Sequence, residues 1–187
     1  MLNHNQLRQG SRVEIDDLPW YIVSADFVKP GKGQAFTKIR IKNLLDGRVI
    51  ERTFKASDMV AKADVVDQEM QYLYSDGEFW HFMNPANYEQ AALNQAQVAL
   101  ASDWLKEQMT YLVTFWKGKA ISVMPPPFVI LTVAQCDPGM KGDTVTGATK
   151  PATMETGAVI KVPLFVNEGD RLKVDTRTAE YVERAKD

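Results

Sequence analysis

Cysteine occurs once in the 187 residues, at Cys136, and histidine only twice, at His4 and His81. A lone thiol forms no intramolecular disulfide, so a packed core must hold the fold, and the chain suits a reducing compartment. Cys136 is expected to be a small strand residue. The two histidines and one cysteine are too few for a common zinc site or a Cys/His nucleophilic pair. No apolar run approaches the roughly 20 residues that span a bilayer, and the opening MLNHNQLRQGSRVEI lacks the apolar stretch of a signal peptide. A soluble, cytoplasmic protein is therefore expected. GxxxxGK[ST], GxGxxG and GxSxG are all missing. Gly31-Lys32-Gly33 has the look of a phosphate loop, but the upstream glycine, the downstream Ser/Thr and the following helix are not there. Nothing supports an enzyme, and neither catalytic nor metal-binding residues are expected.

What the chain has is ordinary globular composition, 45% hydrophobic and 25% charged, enough for more than one small core. Its net charge of −2 hides a gradient. The first 64 residues hold 11 Lys and Arg against 8 Asp and Glu, residues 65–128 hold 3 against 7, and residues 129–187 hold 8 against 9. Only the first third is basic, a distribution that fits a protein touching RNA at a few defined points and leaving again, and fits many proteins that touch none.

Short β-rich runs dominate. Arg12 to Ile15, Trp20 to Ser24, Phe36 to Leu44 and Val49 to Phe54 are separated by Asp16-Asp17, by Lys29 to Gly33 and by Asp46-Gly47, which predicts a small barrel. Met70 to Tyr74 and Phe79 to Met83 flank Ser75-Asp76-Gly77-Glu78, where Asp-Gly predicts a type I′ hairpin turn. Tyr88 to Leu105, rich in Ala, Gln and Leu, is the one stretch of helical character. Met109 to Trp116, Ala120 to Val123 and Phe128 to Ala134 return to strand, with Pro125-Pro126-Pro127 as a connection that cannot donate to a central ladder. Three small β-barrels, 1–64, 65–128 and 129–187, account for this pattern better than one large sandwich.

The decapeptide Phe27-Val28-Lys29-Pro30-Gly31-Lys32-Gly33-Gln34-Ala35-Phe36 joins two apolar strand ends. Proline followed by glycine predicts a type II turn over Lys29 to Lys32, with Gly31 at positive φ. Lys32 then stands at the tip between two glycines, a long cationic stem with little beside it. By physics alone, a plain solvated hairpin with a lysine placed for solubility is slightly the better reading.

This decapeptide resembles the modification loop of the elongation factor P family. So do Tyr72-Leu73-Tyr74-Ser75-Asp76-Gly77-Glu78-Phe79-Trp80-His81-Phe82-Met83, Asp137-Pro138-Gly139-Met140-Lys141-Gly142-Asp143-Thr144, and Lys161 to Val166 with Asp175-Thr176-Arg177. The similarity runs through all three thirds in the family's order. It implies an all-β fold, an SH3-like (KOW-like) N-terminal barrel followed by two OB-folds, in an L shape that mimics transfer RNA. It also implies a monomeric elongation factor that binds the 70S ribosome beside the P-site peptidyl-tRNA and relieves stalling at consecutive prolines.

Residue by residue, the resemblance implies that Lys32 is modified by dedicated lysine-modifying enzymes. The product is a covalent extension of β-lysyl type, with hydroxylation, and there is no dissociable cofactor. Lys29, Pro30, Gly31 and Gly33 would shape the loop near the tRNA acceptor end, Gly142, Asp143 and Thr144 would approach messenger RNA at the E-site, and Tyr181 and Arg184 would contact tRNA or the small subunit. An ordinary strand-end role is an equal reading for that last pair. Two alternatives remain: an unmodified paralogue with another ribosomal role, and a generic OB-fold binder of single-stranded nucleic acid. The second needs stacking aromatics in a basic groove, whereas Tyr72, Tyr74, Phe79, Trp80 and Phe82 fall in the most acidic third.

Overall fold

A computed structural model describes residues 1–139 and 147–186. The chain is nearly all β and forms two compact units, Met1–Gln68 with Val113–Ser122, and Glu69–Leu112 with Val123–Asp187. No helix among the described residues is long and apolar enough to cross a membrane.

The first sheet contains β1 (Leu2–Asn3), β2 (Arg12–Ile15), β3 (Leu18–Val28), β4 (Phe36–Asn43), β5 (Val49–Lys55) and β6 (Met59–Lys62), in the order β1-β6-β2-β3-β4-β5. Side-chain alternation sets its faces. In β4, Thr37, Ile39, Ile41 and Asn43 point inward while Lys38, Arg40 and Lys42 point out. Leu7, Val13, Trp20, Ile22, Ile39, Ile41 and Val60 form the core, and the Trp20 indole satisfies its one donor on Ile15 O at 3.1 Å. Asp16 and Asp17 both sit at positive φ, 53° and 57°, and close the β2–β3 hairpin as a type I′ turn, which matches the twist of the flanking strands.

The second sheet comprises β7 (Val65–Ser75), β8 (Phe79–Met83), β9 (Gln90–Asn94), β10 (Thr110–Trp116) and β11 (Lys119–Met124), in the order β11-β10-β7-β8-β9. Two expectations fail here. The Tyr88 to Leu105 stretch is helical only at α1 (Gln95–Val98) and in a short 3-10 turn at Ser102–Trp104. Ala91 and Leu93 turn inward as β9 pairs with β8, so strand pairing overrides the propensity of Ala, Gln and Leu. Asn94 then starts α1 by a reciprocal capping box with Gln97, at 3.0 and 2.9 Å. At the β7–β8 connection only Gly77 has positive φ, so the turn is not type I′. The Asp76 carboxylate instead accepts the backbone N–H groups of Glu78 and Phe79, at 2.9 and 2.7 Å, and this local capping selects the conformation.

The third sheet has β12 (Phe128–Cys136), β13 (Thr149–Met154), β14 (Val159–Pro163), β15 (Arg171–Asp175) and β16 (Glu180–Arg184), in the order β14-β13-β12-β15-β16. Its core of Val129, Leu131, Val133, Met154, Ile160, Val162, Leu172 and Val174 also includes Trp104, from the 3-10 turn before β10. Pro125 to Pro127 form the connection into β12, where Thr176 donates its hydroxyl to Pro126 O at 2.6 Å and its N–H to Pro127 O at 3.0 Å. Cys136 ends β12 half-buried, its thiol 3.6 Å from Val166 O.

Candidate functional site

Strands β3 and β4 form a long hairpin whose last pair is Val28 with Phe36, leaving residues 29–35 as a broad loop. Lys29, Gly31, Lys32, Gly33 and Gln34 are exposed, whereas Pro30 and Ala35 are half-buried. The expected type II turn does not form. Gly31 lacks positive φ, and Gly33 carries it instead, at 117°. A Cβ on Gly33 would stand 3.7 Å from Pro30 Cγ, while one on Gly31 would meet open space. The proline–glycine pair is a local signal, but the span is fixed by where β3 and β4 stop pairing, and that demands a wider path than a four-residue turn.

The Lys32 ammonium has no hydrogen-bond or ion-pair partner among the described residues. At the loop base, His4 stacks on exposed Phe27 with ring centroids 5.9 Å apart, and His4 O accepts the buried Thr37 hydroxyl at 3.1 Å. These contacts tie the hairpin end to the chain's first turn, so the lysine is held out on a supported arm. Exposed Lys38, Arg40 and Lys42 run along one face of β4 toward the loop. Sequence reading missed this basic row, although the strict alternation of Phe36 to Asn43 carried the signal.

Residues Gly142, Asp143 and Thr144 lie outside the described residues. Upstream, a Cβ on Gly139 would come within 2.6 Å of Leu164 O, so only glycine permits that approach. Buried Lys150, on β13, donates its ammonium to Asp137 O and holds the same arm.

Tyr181 and Arg184 both belong to β16. Tyr181 is half-buried against the third core and meets the Phe165 ring edge-on at 6.5 Å. The Arg184 guanidinium lies 4.5 Å from the centroid of the same ring and donates to Phe165 O at 3.1 Å. The structure thus joins Tyr181 and Arg184 through Phe165, a partner in the β14–β15 connection that sequence reading did not single out.

Of the middle aromatics, Tyr72 and Phe82 are core residues, while Tyr74 stacks on His81 at 4.6 Å near the hairpin tip. His81 Nε2 lies 2.8 Å from Asp76 Oδ2. That hydrogen bond, with the N–H groups of Phe79 and Glu78, pulls the Asp76 carboxyl down to about 2. No group of three or more potential metal ligands occurs among the described residues.

Comparison with known proteins covers each third. Residues 3–60 match the family model described as elongation factor P (EF-P) KOW-like domain, residues 65–123 the elongation factor P (EF-P) OB domain, and residues 129–184 elongation factor P, C-terminal. Elongation factor P of Magnetococcus marinus is 68% identical over 186 residues, covering 100% of both chains. Among solved structures, eukaryotic translation initiation factor 5A from Methanococcus jannaschii aligns with a TM-score of 0.52 at 22% identity, over 66% of this chain and 95% of that one. A translation initiation factor eIF-5A family protein from Naegleria fowleri aligns at 0.50 and 21%, over 66% and 96%. At these identities the two structures speak for the fold alone.

Proposed function

The chain belongs to the elongation factor P family of translation elongation factors, and from that premise we propose that it binds the 70S ribosome beside the P-site peptidyl-tRNA and stimulates peptide-bond formation where consecutive prolines stall it. The observation that carries this reading is Lys32: an exposed ammonium, without a partner among the described residues, on a wide loop at the end of a supported hairpin. A buried or ion-paired lysine would be unavailable for modification or for reaching RNA.

In this reading the factor acts by positioning, and the ribosome performs the chemistry. Fixing a mobile reactant lowers a barrier by several kcal/mol, and by up to about 7 to 11 in ideal intramolecular cases, so the factor need supply no acid or base. Lys29, Pro30, Gly31 and Gly33 shape the loop around the acceptor end, and Lys32, lengthened by a β-lysyl-type extension, reaches furthest. Lys38, Arg40 and Lys42 supply a basic approach toward phosphates. Gly142, Asp143 and Thr144 face messenger RNA at the E-site, and Tyr181 and Arg184 meet tRNA or the small subunit. The segments 1–64, 65–128 and 129–187 act as three domains of a cytoplasmic, non-enzymatic monomer.

The test is a reconstituted translation assay on a message with a Pro-Pro motif, comparing natively modified protein, unmodified protein and the Lys32→Ala variant. Stimulation by the first alone is expected. Equal stimulation by all three would overturn the role of Lys32, and intact-mass analysis of the native protein reads the extension directly.

A further inference from the structure

Two aromatic rings of the third sheet's unit are exposed beside cations, and they differ in how tightly those cations are paired. Phe128 has Lys173 and Arg177 near its ring, at 5.0 and 5.4 Å, but both cations are neutralised. Arg177 is held by both oxygens of Asp175, at 3.0 and 2.7 Å, and Lys173 pairs with Glu183 at 3.3 Å. Phe165 is 54% exposed and carries Arg184 over its ring at 4.5 Å.

Arg184 spends one hydrogen bond on Phe165 O. It also forms a long ion pair with Asp170, at 3.7 Å, a carboxylate that accepts Asn167 N at 2.9 Å as well. The guanidinium therefore keeps N–H donors facing solvent beside an aromatic ring. Tyr181, edge-on at 6.5 Å, buttresses that ring from the strand. Asn167 and Glu168 next along the chain are exposed and polar, so Phe165 is a single flat ring in polar surroundings, unlike the apolar centre of a protein interface.

We infer that Phe165 is a stacking platform for one unpaired RNA base, with Arg184 donating to an adjacent phosphate. This deepens the ribosome-binding reading, on which it rests, and adds a residue to the Tyr181 and Arg184 contact. A base has a π-face whatever its identity, so the platform contributes affinity without sequence preference.

The test measures binding of the full-length protein to ribosomes carrying P-site tRNA. Phe165→Leu, which keeps apolar bulk and loses the aromatic face, should weaken binding by about five- to a hundredfold, and Phe165→Trp should restore it. Arg184→Met should flatten the salt dependence by about one unit of log–log slope, which Phe165→Leu leaves alone. A benzophenone amino acid placed at position 165 should crosslink to RNA. Unchanged affinity of Phe165→Leu, or a crosslink exclusively to ribosomal protein, would overturn the inference. Failure of the wild-type protein to bind would instead remove the ribosome reading itself, and that control needs no variant.

Discussion

The Tyr111 hydroxyl donates to Trp104 O at 2.7 Å and accepts from Lys106 N at 2.8 Å, so one buried phenol fixes both ends of the short segment between them. Burial raises the Tyr111 pKa and keeps the hydroxyl protonated as a donor. The segment it fixes is anchored outward as well: Trp104 enters the third core, Thr156 donates to Asp103 O at 2.6 Å, and Lys106 pairs with Glu155 at 2.9 Å. Tyr111→Phe should destabilise the protein by about 1 to 3 kcal/mol, because one buried and one partly buried backbone group lose their partner. Urea unfolding would check this, and an unchanged midpoint would refute it.

Trp104→Ala should cost more, about 3 to 5 kcal/mol, the range for truncating a buried aromatic. The loss should appear in the thermal transition of the third core. A transition at the wild-type temperature would show that the indole contributes little there.

Lys32→Ala should abolish stimulation of Pro-Pro synthesis while leaving the melting temperature within error, since an exposed loop residue contributes within about 0.5 kcal/mol. A folded variant with full activity would sink the proposed role.

The two loop glycines should respond differently. At Gly33, with φ of 117°, a valine imposes strain of about 1 to 3 kcal/mol and should distort the loop. At Gly31, without positive φ and with open space around it, valine meets no such penalty. Activity in the Pro-Pro assay should therefore fall further for Gly33→Val than for Gly31→Val, and the reverse order would contradict this backbone path.

Asp76 gives a pH prediction. Its folded pKa of about 2 lies below that of an ordinary aspartate, so its carboxylate stabilises the hairpin tip fully above the unfolded value and ceases to do so as pH falls through the folded one. Carboxyl chemical shifts should put the Asp76 midpoint well below that of a free aspartate. His81→Ala should move it up, because the histidine hydrogen bond is the largest cause of the shift. A midpoint unmoved by the substitution would discount that bond.

The sequence made some of this legible and concealed the rest for identifiable reasons. Arg12 to Ile15 emerges as β2 to the residue, because alternation and the Asp16-Asp17 turn are local and agree. The Lys29 to Lys32 turn was misread because Pro-Gly signals a turn without revealing where the flanking strands stop pairing. Tyr88 to Leu105 was misread because propensity yields to the neighbour strand β8. Trp104 and Phe165 were invisible as partners, since each acquires meaning from residues distant in sequence. Gly142 to Thr144 rests on motif similarity alone.

The placement of Trp104 also bears on the order in which the protein is assembled. The residue is synthesised before any strand of the core that receives it, since that core begins at Val129 and closes only with Leu172 and Val174. A chain growing from its N-terminus must carry this indole without its pocket until dozens of later residues have emerged. The second sheet is thus complete in sequence at Met124 while the chain still presents an unmet apolar side chain, a state in which premature chain ends would be prone to associate. Packing of that core around Trp104 therefore waits for residues as late as Val174.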